Sequence, residues 1–98
     1  MATLDDQLIM RFISYLANAR GLSASTQRAY KADLEDLVAH LSSLGLGQVE
    51  ALSLEHIRDW LYKLAESGAA RSTISRKSAA IRTFTEWLEH QGLHPENP

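Results

Sequence analysis

The chain is short, lacks cysteine and carries a nearly balanced charge. Its 98 residues are enough for one domain with a hydrophobic core, and the lack of cysteine excludes disulfide bonds and thiolate metal sites. The net charge of −2 does not by itself favour a polyanionic partner. No apolar run approaches the roughly 20 residues of a membrane span, and the first residues lack a signal-peptide pattern, which favours a cytoplasmic location.

The first predicted helix runs from about Asp5 to Ala19. Asp5 or Asp6 can cap the free amides at its start, and Gly21 after the basic Arg20 is typical of a helix end. The apolar residues of this helix fall on one face, which predicts a helix that covers the core: Leu8, Ile9, Phe12, Ile13 and Leu16.

The second predicted helix follows Ser23, a suitable N-cap, and continues to about Ser43, before Gly45. Its buried stripe consists of Tyr30, Leu34, Leu37, Val38 and Leu41. The opposite face is small or polar, with Ser25, Ala29, Ala32 and Asp36, flanked by Thr26 and Arg28. On this helix alone, two interpretations stand about equally: these residues simply favour a helix and its start, or they contact DNA, whose phosphates suit free helix amides.

A loop at 44–52 precedes a third helix, which Ser53 caps and which runs from about Leu54 to Glu66 before Ser67 and Gly68. Its inward residues are Leu54, Ile57, Leu61 and Leu64, with Trp60 beside them. The remaining face mixes charges of both signs, which indicates a solvated surface.

The fourth predicted helix begins near Ala70, where no side chain is available to cap it, and ends at Gly92. Its apolar stripe consists of Ile74, Ser78, Ile81, Phe84 and Leu88, and Trp87 lies near that stripe, which predicts a core position. The opposite side carries Ser72, Arg76, Ala79 and Thr83.

The stretch 68–85 has an unusual charge pattern, because it contains four cations and no acid: Arg71, Arg76, Lys77 and Arg82. Small residues allow a bulky partner to approach the backbone, and the cations suit a polyanion such as duplex DNA. Lys77 falls near the buried side, so we expect its long side chain to reach outward to solvent.

No arrangement typical of catalysis or metal binding is present in the sequence. The four histidines lack paired ligand spacing, and there is no Gly-rich phosphate loop, nucleophile elbow or HExxH motif. Carboxylate pairs such as Asp33–Asp36 and Glu86–Glu89 are interpreted as solvated faces. The sequence therefore predicts a binding module without active site, metal or cofactor.

One ordered set of residues, spread over the second helix and the stretch from the fourth helix onward, matches a known pattern. In the second helix it comprises Leu22, Ser23, Thr26, Tyr30, Asp33 and Leu34. From the fourth helix onward it comprises Gly68, Thr73, Ile74, Arg76, Lys77, Ala80, Ile81, Arg82, Phe84, Trp87, Leu88, Gly92, Asn97 and Pro98. This set resembles the core-binding domain of Xer-type tyrosine recombinases, from about Leu4 to Pro98. The runs at 68–73 and 82–87 are most similar to the XerC branch of high-GC Gram-positive bacteria, and phage integrases share the module.

The resemblance implies an all-α, four-helix SAM-like orthogonal bundle at 1–93, with 94–98 starting a linker. In the family, helices two and four cross the DNA major groove as half of a C-shaped clamp. The resemblance implies DNA contacts by Thr26, Arg28, Ser72, Thr73, Arg76 and Lys77, and the small outer face of the second helix adds Ser25, Ala29 and Ala32 to the predicted DNA-binding residues. Thr26 and Arg28 match phosphate contacts, whereas Arg76 is the candidate for reading a base, since arginine can donate two hydrogen bonds to guanine. Ala70 and Ser78 depart from the usual Ser and Leu of the family.

The resemblance also implies that the chemistry lies in a second domain, with an Arg, a His-x-x-Arg stretch and a nucleophilic tyrosine, expected after Pro98. We therefore expect this chain to bind DNA without cleaving it. The whole protein is expected to form a phosphotyrosine intermediate without a cofactor, in a tetramer with an XerD-like partner that resolves chromosome dimers at cell division. Two alternatives stay open: the core-binding domain of a phage or transposon integrase, and a helical protein–protein adaptor that binds an acidic partner.

Overall fold

The computed structural model describes residues 3–93, which form four α-helices and no strand. The helices are α1 (Asp6–Ala19), α2 (Ala24–Ser43), α3 (Leu54–Glu66) and α4 (Arg71–His90), and a 3-10 turn at Val49–Ala51 lies between α2 and α3. The all-α, four-helix prediction is confirmed. The predicted linker at 94–98 lies outside the described residues.

The helix starts follow from the capping residues that the sequence supplies. Asp5, Ser23 and Ser53 accept hydrogen bonds from the amides of Leu8, Thr26 and His56. By contrast, Ala70 at the start of α4 offers no side-chain bond, as predicted. After α4, Gly92 adopts a φ of 72°, a left-handed conformation that glycine reaches without a steric cost.

The core is built mainly from α1, α2 and α4. The predicted face of α1 is buried in full, and Leu34, Leu37 and Leu41 of α2 pack against it together with α4. Phe12 lies at the centre of an aromatic cluster, with ring centroids 5.0 Å from Phe84 and 5.6 Å from Trp87. The prediction that Trp87 belongs to the core is confirmed. This cluster fixes the C-terminal half of α4 against α1.

The packing of α3 and of the loop at 44–52 differs from the sequence expectations. Leu54, at the first position of α3, is 45% exposed rather than inward, because it lines an open groove between α3 and α4. Trp60, expected beside the inward residues, is instead the buried residue of α3, and Ile57, Leu61 and Leu64 are partly buried. The loop at 44–52 contributes to the core, since Val49, Ala51 and Leu52 are buried.

The segment before α1 is hydrogen-bonded to the loop at 44–52. The amide of Leu4 donates to the carbonyl of Gly47 over 2.9 Å, and Leu4 itself is buried. Within residues 3–93, no helix combines the length and apolarity needed to span a bilayer.

Candidate nucleic-acid interface

A buried carboxylate joins the two helices that the sequence singled out. Asp33 of α2 is fully buried and accepts two hydrogen bonds from Arg76 of α4. The Arg76 Nε donates to Oδ2 over 3.0 Å and Nη2 donates to Oδ1 over 2.9 Å, which is the bidentate geometry of a strong charge-assisted pair. The interpretation of Asp33 as part of a solvated face is therefore wrong.

Lys77 completes this group of side chains, which we call the Asp33 cluster: Asp33, Asp36, Arg76 and Lys77. The Lys77 ammonium lies 3.1 Å from both Asp33 Oδ1 and Asp36 Oδ2, and 5.6 Å from the ring centroid of Trp60. Its side chain is only 11% exposed. The prediction that Lys77 reaches out to solvent is wrong, because the buried carboxylate offers its ammonium a partner inside the bundle.

The Asp33 cluster changes the electrostatic interpretation of the stretch 68–85. Its cations have no acidic neighbours in sequence, but in space two of them face Asp33 and Asp36 from α2. The hydrogen bond and the charge of Asp33 raise the pKa of Arg76 above its ordinary value, against a smaller opposing effect of desolvation. Arg76 therefore stays charged at any physiological pH, and its side chain remains 48% exposed.

The predicted contact residues lie on both sides of this cluster. Asp33 follows Ala29 by one helical turn and Arg76 follows Ser72 by one turn, so the ion pair brings these parts of α2 and α4 together. Ser25, Arg28, Ala32 and Ser72 are exposed, whereas Thr26, Ala29 and Thr73 are partly buried. Thr26 also accepts a hydrogen bond from the Ser23 hydroxyl over 3.0 Å.

Free cations remain near the starts of both helices. Arg28 and Arg71 are exposed and have no ion-pair partner among residues 3–93, whereas Lys31 is paired with Glu35. The first amides of α4 are also uncapped by a side chain. In the part of the chain that the structure describes, no group of His, Cys, Asp and Glu could hold a metal ion. The exposed cations and the uncapped amides suit an anionic partner.

The burial of Asp33 was not predicted, although the sequence contains a local signal for it. Asp33 lies three residues after Tyr30 and four before Leu37, which places it on the edge of the buried stripe. A carboxylate at such a position needs a cationic partner, because an unpaired buried charge is strongly unfavourable. Arg76 and Lys77, predicted as contacts for a polyanion, supply the cations that Asp33 needs.

Comparison with known proteins places the chain in a family. Residues 9–92 match the model described as the phage integrase N-terminal SAM-like domain. Tyrosine recombinase XerC of Mycobacterium tuberculosis is 40% identical over 91 residues, which cover 93% of this chain and 30% of the relative. XerC of Mycobacterium leprae is 39% identical over 98 residues, which cover 100% of this chain and 31% of the relative. No solved structure matches the chain significantly.

The similarity extends over nearly the whole chain, but the chain spans only about a third of the length of these relatives. The matched residues take in most of the four-helix bundle described above. The chain therefore belongs to the phage integrase N-terminal SAM-like domain family, and it is similar over nearly its whole length to XerC tyrosine recombinases.

Proposed function

We propose that this domain is the DNA-binding half of the clamp of a site-specific tyrosine recombinase, and that α2 and α4 together contact duplex DNA. The observation that carries the proposal is the Asp33–Arg76 pair, which holds the two helices side by side. Beside it the small residues Ser25, Ala32 and Ser72 are exposed. Membership of a family whose relatives are named tyrosine recombinases supports the same function.

The proposed DNA surface comprises Ser25, Thr26, Arg28, Ala29, Ala32, Ser72, Thr73 and Arg76. Lys77, the ninth predicted residue, is mostly buried and lies at the inner edge of this surface. Arg28 and the hydroxyl residues would contact phosphates, which set the position of the protein on the duplex. Arg76 would reach a base edge, because half of its side chain is exposed and arginine can bind guanine through two donors.

For the whole protein we propose the role that its XerC relatives suggest. A catalytic domain would supply the nucleophilic tyrosine, and this domain would bind DNA without cleaving it. The active assembly would be a tetramer with an XerD-like partner on two DNA sites, acting in the cytoplasm to resolve chromosome dimers. In this proposal the described residues take no part in catalysis and bind no cofactor.

The salt dependence of binding tests this proposal. The 98-residue chain would be titrated with a duplex at several salt concentrations, and fluorescence anisotropy would give the Kd. We expect weak binding that falls steeply with salt, by about 0.9 log units in affinity per log unit of salt for each phosphate neutralised. Absence of binding, or an affinity that does not change with salt, would instead favour a protein–protein adaptor.

A further inference from the structure

The two cations of the Asp33 cluster differ in how much of each side chain is exposed to solvent. Arg76 and Lys77 are consecutive cations that bind the same carboxylate, but the Arg76 side chain is 48% exposed and that of Lys77 is 11% exposed. On a helix, consecutive residues lie ~100° apart, and here that step turns Arg76 toward solvent and Lys77 toward the interior of the bundle. Their shared partner, Asp33, is inaccessible to any ligand.

The geometry of the pair determines which part of Arg76 stays available. Asp33 binds the side of the guanidinium formed by Nε and Nη2, and neither hydrogen bond uses Nη1. Of the five N–H groups that arginine carries, those on Nη1 and the second one on Nη2 are left over. These remaining groups lie at the end of the planar guanidinium and form a second two-donor edge, which is the arrangement that guanine O6 and N7 accept.

We infer that Asp33 is a positioning residue for sequence recognition: it fixes the guanidinium of Arg76 so that its free edge points at the DNA, while Lys77 serves as the second counter-ion of Asp33 rather than as a DNA contact. This inference rests on the proposed function. A restrained arginine loses less conformational freedom on binding than a free one, and its direction is fixed before the duplex arrives. Lys77 shares the negative charge of Asp33, so that charge does not cancel Arg76 alone.

The test distinguishes the effect of Asp33 on the orientation of Arg76 from the effect of its negative charge on DNA binding. Wild type and Asp33→Asn would each be bound to a pool of short random duplexes, and sequencing of the bound fraction would give the preference at each base pair. Glu35→Gln is the matched control, because it removes the same charge from α2, but from an exposed pair with Lys31. For wild type we expect roughly 5- to 150-fold preference at one position, the range of a good two-donor base contact.

If Asp33 positions Arg76, Asp33→Asn loses most of that preference while its affinity for the whole pool stays the same or rises, because a negative charge has been removed. Glu35→Gln keeps the preference. Preserved preference in a folded Asp33→Asn, or a wild type that binds without any preference, would overturn the inference and leave the proposed DNA binding intact. Failure of the wild type to bind the pool at all would instead refute the proposed function.

Asp33→Asn could also prevent folding, since it leaves the buried Lys77 ammonium with Asp36 as its remaining ion-pair partner and removes the charged partner of Arg76. Circular dichroism would reveal this, and the double variant Asp33→Asn/Lys77→Met would then replace it. That variant removes the buried ammonium together with the buried carboxylate. The charges left in the Asp33 cluster are those of Arg76 and Asp36, both about half exposed, so Arg76 is free to turn toward solvent. We expect it to bind the pool without base preference, and retained preference in this variant would equally overturn the inference.

Discussion

Arg28 is the exposed cation of the proposed DNA surface that no carboxylate neutralises within residues 3–93. Its charge is fully available to a phosphate, whereas Arg76 shares its charge with a buried carboxylate. Phosphate contacts contribute affinity that depends on salt but not on sequence. Arg28 should therefore affect how strongly the domain binds, and Arg76 should affect which sequence it prefers.

Replacement of Arg28 by alanine tests this difference. Arg28→Ala should weaken binding to all duplexes by a similar factor and lower the slope of log affinity against log salt by about 0.9, because one phosphate contact is lost. The measurement is the same anisotropy titration at several salt concentrations. Arg58→Ala is the matched control, since Arg58 is an exposed arginine of α3 outside the proposed surface. Equal effects of the two substitutions would show that only net charge matters.

For single residues, the sequence predicted which helix face is buried better than it predicted which side chains form ion pairs. The spacing of Leu8, Phe12 and Leu16 predicted a buried face, because helical periodicity is a local property of the sequence. The pairing of Asp33 with Arg76 joins residues 43 positions apart, and no local pattern specifies which distant helix will supply the cation. Lys77 was misplaced for the same reason, since its surroundings depend on α2.

Among the helices, α4 is held in two different ways along its length. Its C-terminal half packs through Phe84 and Trp87 against Phe12 of α1. Its N-terminal half is tied to α2 by the Asp33 cluster, and its first amides have no side-chain cap. The missing cap could be predicted from Ala70 alone, because alanine has no side-chain acceptor. The uncapped start leaves N–H groups free for a phosphate.

A cap introduced at this start should have opposite effects on stability and on binding. Ala70→Asp should raise the free energy of unfolding by about 0.5–2 kcal/mol, since the carboxylate accepts from the free amides and favours the helix dipole. The same carboxylate should weaken duplex binding, because it occupies those amides and repels phosphate. Urea unfolding and duplex titration measure the two effects.

Gln7→Asp is the control, because it adds the same charge in the first turn of α1, away from the proposed surface. It should leave binding nearly unchanged. If Ala70→Asp binds DNA as well as wild type, the start of α4 does not face the duplex.

For the molecule as a whole, the distribution of charge matters more than its sum. The net charge is −2, yet the acids nearest the proposed surface, Asp33 and Asp36, are engaged with Arg76 and Lys77. The domain thus presents Arg28 and the exposed half of Arg76 without a strongly positive total charge. We expect weak binding by the domain alone, with specificity that comes from a few directed contacts.

The four helices followed from the sequence, because four amphipathic stretches with clear stops predict them, whereas their SAM-like arrangement was implied by the family resemblance. The contribution of 44–52 did not, since its buried Val49 and Leu52 lie in an irregular segment where no periodicity marks the inward side. Local sequence patterns likewise did not predict how α2 packs against α4. The proposed DNA surface depends on that contact.

The most direct test of that account is to map where duplex DNA touches the 98-residue chain by NMR, following backbone amide shifts during a titration. The account predicts that the largest shifts fall on both 25–32 of α2 and 71–77 of α4 and saturate together with one Kd. Shifts confined to α1 and α3, or to only one of α2 and α4, would contradict the claim that these two helices form a single DNA-binding surface.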